Sequence, residues 1–178
     1  MSAKPHDWEY DQKHGIDHYF ATECKRGREW IFKVNEGTDI NLAIAKFATE
    51  NNIDFARIHT SFMGGLQPAH VARWTPPLPG SDHPWRGDIE VIINEPGMIM
   101  SMQGFIHKVV KEGKEVPLVS IHFVYGGHTA VPIYGGHLSI GSLSKGTTEF
   151  FITEILGIKQ VYEVGYVEGH TEPWYEEV

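Results

Sequence analysis

The sequence predicts an α+β fold, in which one main amphipathic helix packs on a mostly antiparallel, partly closed β-barrel or sheet. Two observations carry this prediction: a single stretch has helical apolar spacing, and many short segments alternate apolar and polar residues between turn signals. The length of 178 residues fits one domain. We expect an N-terminal extension over residues 1–27, the folded domain over 28–167 and a C-terminal tail over 168–178.

The helix is predicted to start at the Thr38-Asp39 pair. Thr38 is the expected N-cap, and Asp39 falls in the first turn, where a negative charge complements the helix dipole. The pair Asn51-Asn52 is expected to end the helix. The apolar stripe recurs at helical spacing and consists of Ile40, Ala43, Ile44, Phe47 and Ala48.

The strands are predicted from period-2 alternation, and the turns between them from Gly, Pro and Asn residues. Gly64-Gly65 and Gly113 mark two of these turns. The proline-rich segment 75–84 is expected to form a loop at an active site or an interface. The predicted strands cover residues 29–34, 55–61, 70–74, 89–93, 98–110, 115–125, 148–155 and 160–167.

The composition argues against several classes of function. The net charge is −8, and non-specific affinity for nucleic acid comes from cations that neutralise phosphates, so we expect no direct nucleic-acid partner. No apolar run is long enough to span a membrane, and residues 1–8 lack the apolar core of a signal peptide. The single cysteine, Cys24, suits a reducing compartment, and we expect a cytoplasmic protein.

Two histidines form the first candidate site. Alternation over 119–125 places Ser120 and His122 on one face of a strand. Gly135-Gly136 is expected to turn the backbone tightly and to bring His137 back toward the sheet. Imidazoles delivered from two neighbouring strands suit a divalent metal, although a catalytic zinc usually takes three protein ligands.

A third ligand is sought on the neighbouring strand. If Val110 lies opposite Glu115 in a hairpin around Gly113, then His107 shares a face with His122. His107 is therefore the first candidate and His70, on another strand, the second. His59 and His128 come after these, and the alternative that no metal binds stays open.

Three further residues are candidates for catalysis around such a metal. Glu154 lies in an apolar strand, where burial would favour the neutral carboxyl and suit proton transfer. Tyr134 is a second proton donor, and Arg73 is a candidate clamp for a substrate carboxylate. Each has a plain structural alternative: Glu154 as an outward strand residue, Tyr134 as packing, and Arg73 as a surface ion-pair partner.

The motifs resemble a known family through their order and spacing. The segments that carry the resemblance are 30–39, 64–66, 69–74, 120–122, 135–138 and 153–155. Together they resemble the PPC domain (plant and prokaryote conserved domain), a small β-fold that is itself similar to the zinc enzyme acetolactate decarboxylase. The resemblance covers roughly residues 28–157. One position departs from the family pattern, because the first histidine of its His-x-His motif is Ser120 here.

The resemblance implies two functions of different classes. The first is a metal-dependent enzyme, most simply a zinc lyase of the decarboxylase or hydratase kind, acting on a small oxo- or hydroxy-carboxylate. The second is a non-catalytic PPC-domain protein that acts by assembly or regulation and is associated with DNA in some relatives. The segment Lys25-Arg26-Gly27-Arg28 resembles the AT-hook of plant relatives, but Glu29 replaces the proline that should follow.

We also expect a homotrimer, since the resembling family forms trimers and the chain carries aromatic residues that one helix and one sheet do not need. Aromatic side chains near both termini are readily buried between subunits, where they supply large contact areas. The histidine site would then lie near a subunit boundary. These aromatic residues are Trp8, Tyr10, Tyr19, Phe20, Trp174 and Tyr175.

Overall fold

The computed structural model describes residues 22–75, 87–127, 133–164 and 171–178. Within these ranges the chain forms one helix and ten strands. The helix is not long and apolar enough to span a membrane. The elements are β1 (Lys25–Val34), α1 (Ile40–Glu50), β2 (Phe55–Leu66), β3 (Ala69–Thr75), β4 (Gly87–Ile93), β5 (Gly97–Lys111), β6 (Lys114–Gly127), β7 (Ile133–Leu138), β8 (Ser144–Leu156), β9 (Ile158–Val164) and β10 (Thr171–Glu177).

The strands form one large sheet and one small one. Eight strands lie in the order β1-β8-β2-β5-β6-β7-β3-β4, with antiparallel neighbours throughout, and β9 pairs with β10 in a separate two-stranded sheet. This arrangement confirms the predicted fold class of one helix on a mostly antiparallel sheet. The strand β1 begins at Lys25, inside the predicted extension, and the predicted tail supplies β10.

The helix α1 covers the face of the sheet that carries the core, which we call the inner face. Ile40, Ile44 and Ala48 are buried in one cluster with residues from most strands, as the apolar stripe predicted. The N-cap is Asp39 and not Thr38, because the Asp39 carboxylate accepts a hydrogen bond from the backbone N–H of Leu42 at 3.0 Å. The helix ends at Glu50 and Asn51 is its C-cap, in agreement with the predicted end.

The hairpin β5–β6 confirms the predicted register. Val110 lies opposite Glu115, Phe105 opposite Ser120 and Gln103 opposite His122. Glu112 and Gly113 form the turn with positive φ angles of 52° and 74°, as a two-residue hairpin requires. The register places Gln103, His122 and Ser120 on the face opposite the core, which we call the outer face.

Two predicted turns are in fact parts of strands. Gly64-Gly65 lies within β2, where register shifts around Met63 bend the strand. Gly135-Gly136 lies within β7. The glycines are needed there for close approach and not for turning: a Cβ on Gly136 would lie 2.7 Å from the carbonyl oxygen of Ala72.

Several predicted features lie outside the described residues. They are the proline-rich loop beyond Thr75, His128, the aromatic residues Trp8, Tyr10, Tyr19 and Phe20, and the side chain of Trp174.

Candidate functional site

A row of polar side chains crosses the outer face of the sheet. His122 on β6 lies directly opposite His137 on β7, and their ring centroids are 5.4 Å apart. The row continues from His137 to Ala72 on β3 and then to Glu90 on β4. Because directly opposed residues share a face, these side chains all project to the outer side. The two histidines therefore meet, and the small Ala72 leaves space beside them.

The glycines of β7 allow this strand to lie between its two neighbours. A Cβ on Gly135 would lie 2.9 Å from the Phe123 carbonyl oxygen on β6, and one on Gly136 would lie 2.8 Å from the Val71 side chain on β3. Residues with side chains would push β7 away from both strands. The Gly-Gly pair thus brings His137 close to His122, by a mechanism different from the predicted turn.

His107 lies on the predicted face but not beside the histidine pair. It is four residues along β5 from Gln103, the residue opposite His122, which corresponds to about 13 Å. His107 is 1% exposed and packs against the ring of Phe105, with centroids 5.3 Å apart. Burial lowers the pKa of His107 to about 4, so the ring is neutral at physiological pH. It occupies a buried cluster and does not complete a site with His122.

His70 also projects to the outer face, two residues from Ala72 along β3. Its Nδ1 atom lies 3.5 Å from a carboxylate oxygen of Glu90. The Ser142 hydroxyl accepts a hydrogen bond from the His70 backbone N–H at 3.0 Å. His70 is thus held at the β4 side of the row and directed at a carboxylate.

His59 is on the other side of His122, on strand β2. Its Nε2 atom is 2.8 Å from the Thr153 hydroxyl, and its ring stacks on Phe151 with centroids 5.8 Å apart. Burial is the main cause that lowers the pKa of His59 below its usual value. In the described part of the chain, no group of three or more His, Cys, Asp or Glu side chains is placed to hold a metal ion.

Ser120 occupies the position where the family motif has its first histidine. It lies opposite Phe105 on the outer face. A serine hydroxyl is not among the usual zinc ligands in proteins. The described residues therefore bring two imidazoles together but do not complete a zinc site.

Glu154 is held in an ion pair, which contradicts the expectation that its neutral form is favoured. Arg28 donates hydrogen bonds to it from Nε and from a terminal nitrogen, both at 2.8 Å, and from the backbone N–H at 3.2 Å. These hydrogen bonds lower the pKa of Glu154 below its usual value. The partner is 126 residues away in sequence, so strand alternation alone could not identify it. The carboxylate stays charged, and it lies opposite Ala56 in the core-facing row.

Arg73 and Tyr134 contact each other on the inner face. The Arg73 guanidinium lies 5.7 Å from the centroid of the Tyr134 ring. Tyr134 lies opposite the buried Tyr125, and Arg73 is two residues from the buried Val71 along β3. The sheet thus separates these two residues from the pair His122 and His137 on its other face.

The structure also reveals a cleft that the sequence did not single out. It has a volume of about 700 Å³ and lies on the outer face over β8, β2, β5 and β6. Arg57, His59, Gln103 and Ser120 contribute to its lining. The available sequence signal was the alternation in β2, where Arg57 stands between the core residues Ala56 and Ile58 and must point outward.

The fold and these sites define a small antiparallel-sheet domain with paired imidazoles on its outer face. Residues 21–156 match the Plants and Prokaryotes Conserved (PCC) domain, here called the PPC domain, so the chain belongs to this family. The match confirms the family predicted from the sequence motifs. No curated protein matches the chain.

Solved structures share the fold at low sequence identity. A plant- and prokaryote-conserved protein from Pyrococcus horikoshii is 21% identical with a TM-score of 0.65, over 90% of this chain and 99% of its own. A metal-containing protein from Archaeoglobus fulgidus is 23% identical with a TM-score of 0.60, over 77% and 86%. A proposed DNA-binding protein from Bacteroides thetaiotaomicron is 17% identical with a TM-score of 0.61, over 88% and 99%.

Proposed function

We propose that this chain is a non-catalytic PPC-domain protein that acts by assembling with copies of itself, as a homotrimer, in a regulatory role. The observation that carries the proposal is an apolar patch on the outer face, next to the histidine pair. The patch consists of Met98, Met100, Val124 and Ile133, which are 69%, 57%, 39% and 64% exposed.

The patch is contiguous and not a set of scattered side chains. Met98 and Ile133 lie on either side of Gly126 in one cross-strand row. The Met100 sulfur would lie 3.1 Å from a Cβ on the same glycine. The patch also borders a cleft of about 990 Å³ that Met63 and Met98 help to line. Contiguous exposed apolar surface of this kind marks interaction sites in soluble proteins. Burial between subunits would remove it from water.

The assembly test compares a patch variant with a matched variant elsewhere. Ile133→Glu places a charge in the patch and is expected to shift the protein to monomers, because an unpaired buried carboxylate opposes association. Val110→Glu is the control, since Val110 is 73% exposed at the tip of the β5–β6 hairpin. Light scattering after size exclusion gives the mass of each variant. An Ile133→Glu protein with the same mass as the wild type would contradict the proposed interface.

A metal site at His122 and His137 is the second candidate function. The 5.4 Å separation of the two rings supports it, and one protein of similar fold is described as metal-containing. Zinc is the expected metal, with the third donor contributed by a neighbouring subunit. The lyase hypothesis has less support. Arg73 and Tyr134 lie on the face of the sheet opposite the histidine pair, and Glu154 is engaged in an ion pair with Arg28.

Metal content tests this second candidate directly. Protein purified without an affinity tag is expected to hold zinc, and the double variant His122→Ala/His137→Ala is expected to lose it. His70→Ala is the matched control, because this histidine is already directed at Glu90. Elemental analysis that finds no bound transition metal before or after zinc addition would contradict the site.

Direct DNA binding through the Arg-Gly-Arg segment is not supported by its contacts. Arg26 is paired with Glu29 and Arg28 with Glu154, so carboxylates within the chain already neutralise both guanidinium groups. The segment is also part of strand β1 and not a free arm. If the chain acts with DNA, as proposed for some proteins of this fold, we expect contact through a partner.

A further inference from the structure

The cleft over β2, β5 and β6 has an unusual charge for this protein. The chain carries a net charge of −8, but none of the described residues that line the cleft is Asp or Glu. The lining includes the guanidinium of Arg57, for which no carboxylate partner is present among the described residues. A guanidinium that faces no carboxylate among the described residues of a concave site attracts anions.

Polar groups converge on one side of the cleft. Arg57 lies opposite Phe105, and Phe105 lies opposite Ser120, so the guanidinium and the hydroxyl flank one aromatic ring on the same face. Gln103, two residues along β5, adds an amide donor to the lining. A carboxylate accepts hydrogen bonds readily from this combination of guanidinium, amide and hydroxyl.

The other side of the cleft is apolar. The rings of Phe55 and Phe105 stack with centroids 6.3 Å apart. The rings of Phe55 and Tyr175 are steeply inclined to each other, with centroids 5.7 Å apart. Ile158, at the start of β9, lines the same wall. A ligand that fills the cleft therefore needs an apolar or aromatic body in addition to a charged group. Small-molecule sites commonly combine apolar walls with a few placed polar groups.

We propose that this cleft binds a small organic carboxylate with an aromatic or alkyl body. Arg57 holds the carboxylate, Ser120 and Gln103 orient it, and the body packs on Phe55 and Phe105. Ser120, which stands where the resembling motif has its first histidine, thus takes a ligand-binding role in this chain. The small hydroxyl of Ser120 leaves the cleft open where an imidazole would project.

The single cysteine offers a direct reporter of occupancy. Cys24 is exposed and lines the cleft, so a bound ligand should shield it from a neutral thiol reagent such as 4,4′-dithiodipyridine. We expect 3-phenylpropanoate to slow this reaction and to give a saturating calorimetric titration. The neutral analogue 3-phenylpropanamide should bind about tenfold more weakly or worse, because it lacks the charge that Arg57 recognises.

Variants distinguish ligand binding in the cleft from a general effect of the protein's net charge. Arg57→Gln is expected to weaken 3-phenylpropanoate binding about tenfold or more, whereas Lys111→Gln, with the same charge change at the hairpin tip, should leave it unchanged. Phe105→Leu should weaken the binding of 3-phenylpropanoate and of 3-phenylpropanamide by the same factor. All three variants should keep the oligomeric mass of the wild type. A negative result for ligand binding would therefore not bear on the proposed self-assembly.

Two results would overturn the inference. One is the absence of both titration heat and Cys24 protection with 3-phenylpropanoate up to about 10 mM. The other is inorganic phosphate that binds as tightly as 3-phenylpropanoate, which would show a simple anion site without use of the apolar wall.

Discussion

At the scale of single residues, the environment of each candidate side chain decides its chemistry. Glu154 and His107 are both buried titratable groups, at 8% and 1% exposure. Arg28 keeps Glu154 charged, whereas burial keeps His107 neutral. Sequence alternation predicted that His107 shares the face of His122, but not its burial. Phe55, which lies directly opposite His107 on β2, is itself buried.

His107 gives a prediction about the pH dependence of stability. Its folded pKa of about 4 lies below the ordinary value of 6.5, so the unfolded chain binds more protons in this interval. The free energy of unfolding should therefore decrease as the pH falls from about 6.5 to about 4, by on the order of 3 kcal/mol from this group. Urea denaturation at several pH values measures it.

The matched variants are His107→Leu and Val110→Gln. His107→Leu should flatten the stability profile in this interval, whatever its stability at neutral pH. Val110→Gln changes an exposed residue of the same hairpin without removing a titratable group and should leave the profile as in the wild type. A His107→Leu profile as steep as that of the wild type would contradict the assignment.

At the scale of elements, local rules predicted the strands better than the roles of their glycines. The β5–β6 register followed from alternation and from the turn at Gly113, because hairpin geometry is set by a few adjacent residues. Gly135-Gly136 was predicted to turn, but it lies within β7 because two neighbouring strands approach it. A Gly-Gly pair is typical both of a turn and of closely packed strands, so the sequence alone does not distinguish the two.

Gly104 tests the importance of close approach within the β5–β6 hairpin. A Cβ there would lie 2.0 Å from the backbone oxygen of Ser120, which cannot move without disturbing the pairing. Gly104→Ala is expected to destabilise the fold by about 2 kcal/mol or more and to perturb the cleft beside Ser120.

Gly126→Ala is the matched control in the same hairpin. Its Cβ would meet only the flexible end of Met100, at 3.1 Å, so the variant should lose much less stability. Thermal unfolding compares the two variants. Equal melting temperatures for Gly104→Ala and wild type would show that the strands separate easily at this point.

At the scale of the whole molecule, the outer face holds the unexplained features. The histidine pair, the apolar patch and the cleft lined by Arg57 all lie on this face, while α1 covers the inner one. The sequence predicted the fold class and the meeting of His122 with His137. It could not predict that Arg73 and Tyr134 face the other way, because that depends on which face of β3 and β7 packs on the core.

Sedimentation equilibrium of the tag-free wild-type protein tests the central claim of self-assembly most directly. The mass is independent of shape, and the chain mass is 20.1 kDa. We expect a species of three times this mass that persists at micromolar concentration, because the exposed apolar patch is buried between copies. A single species at the chain mass would contradict it.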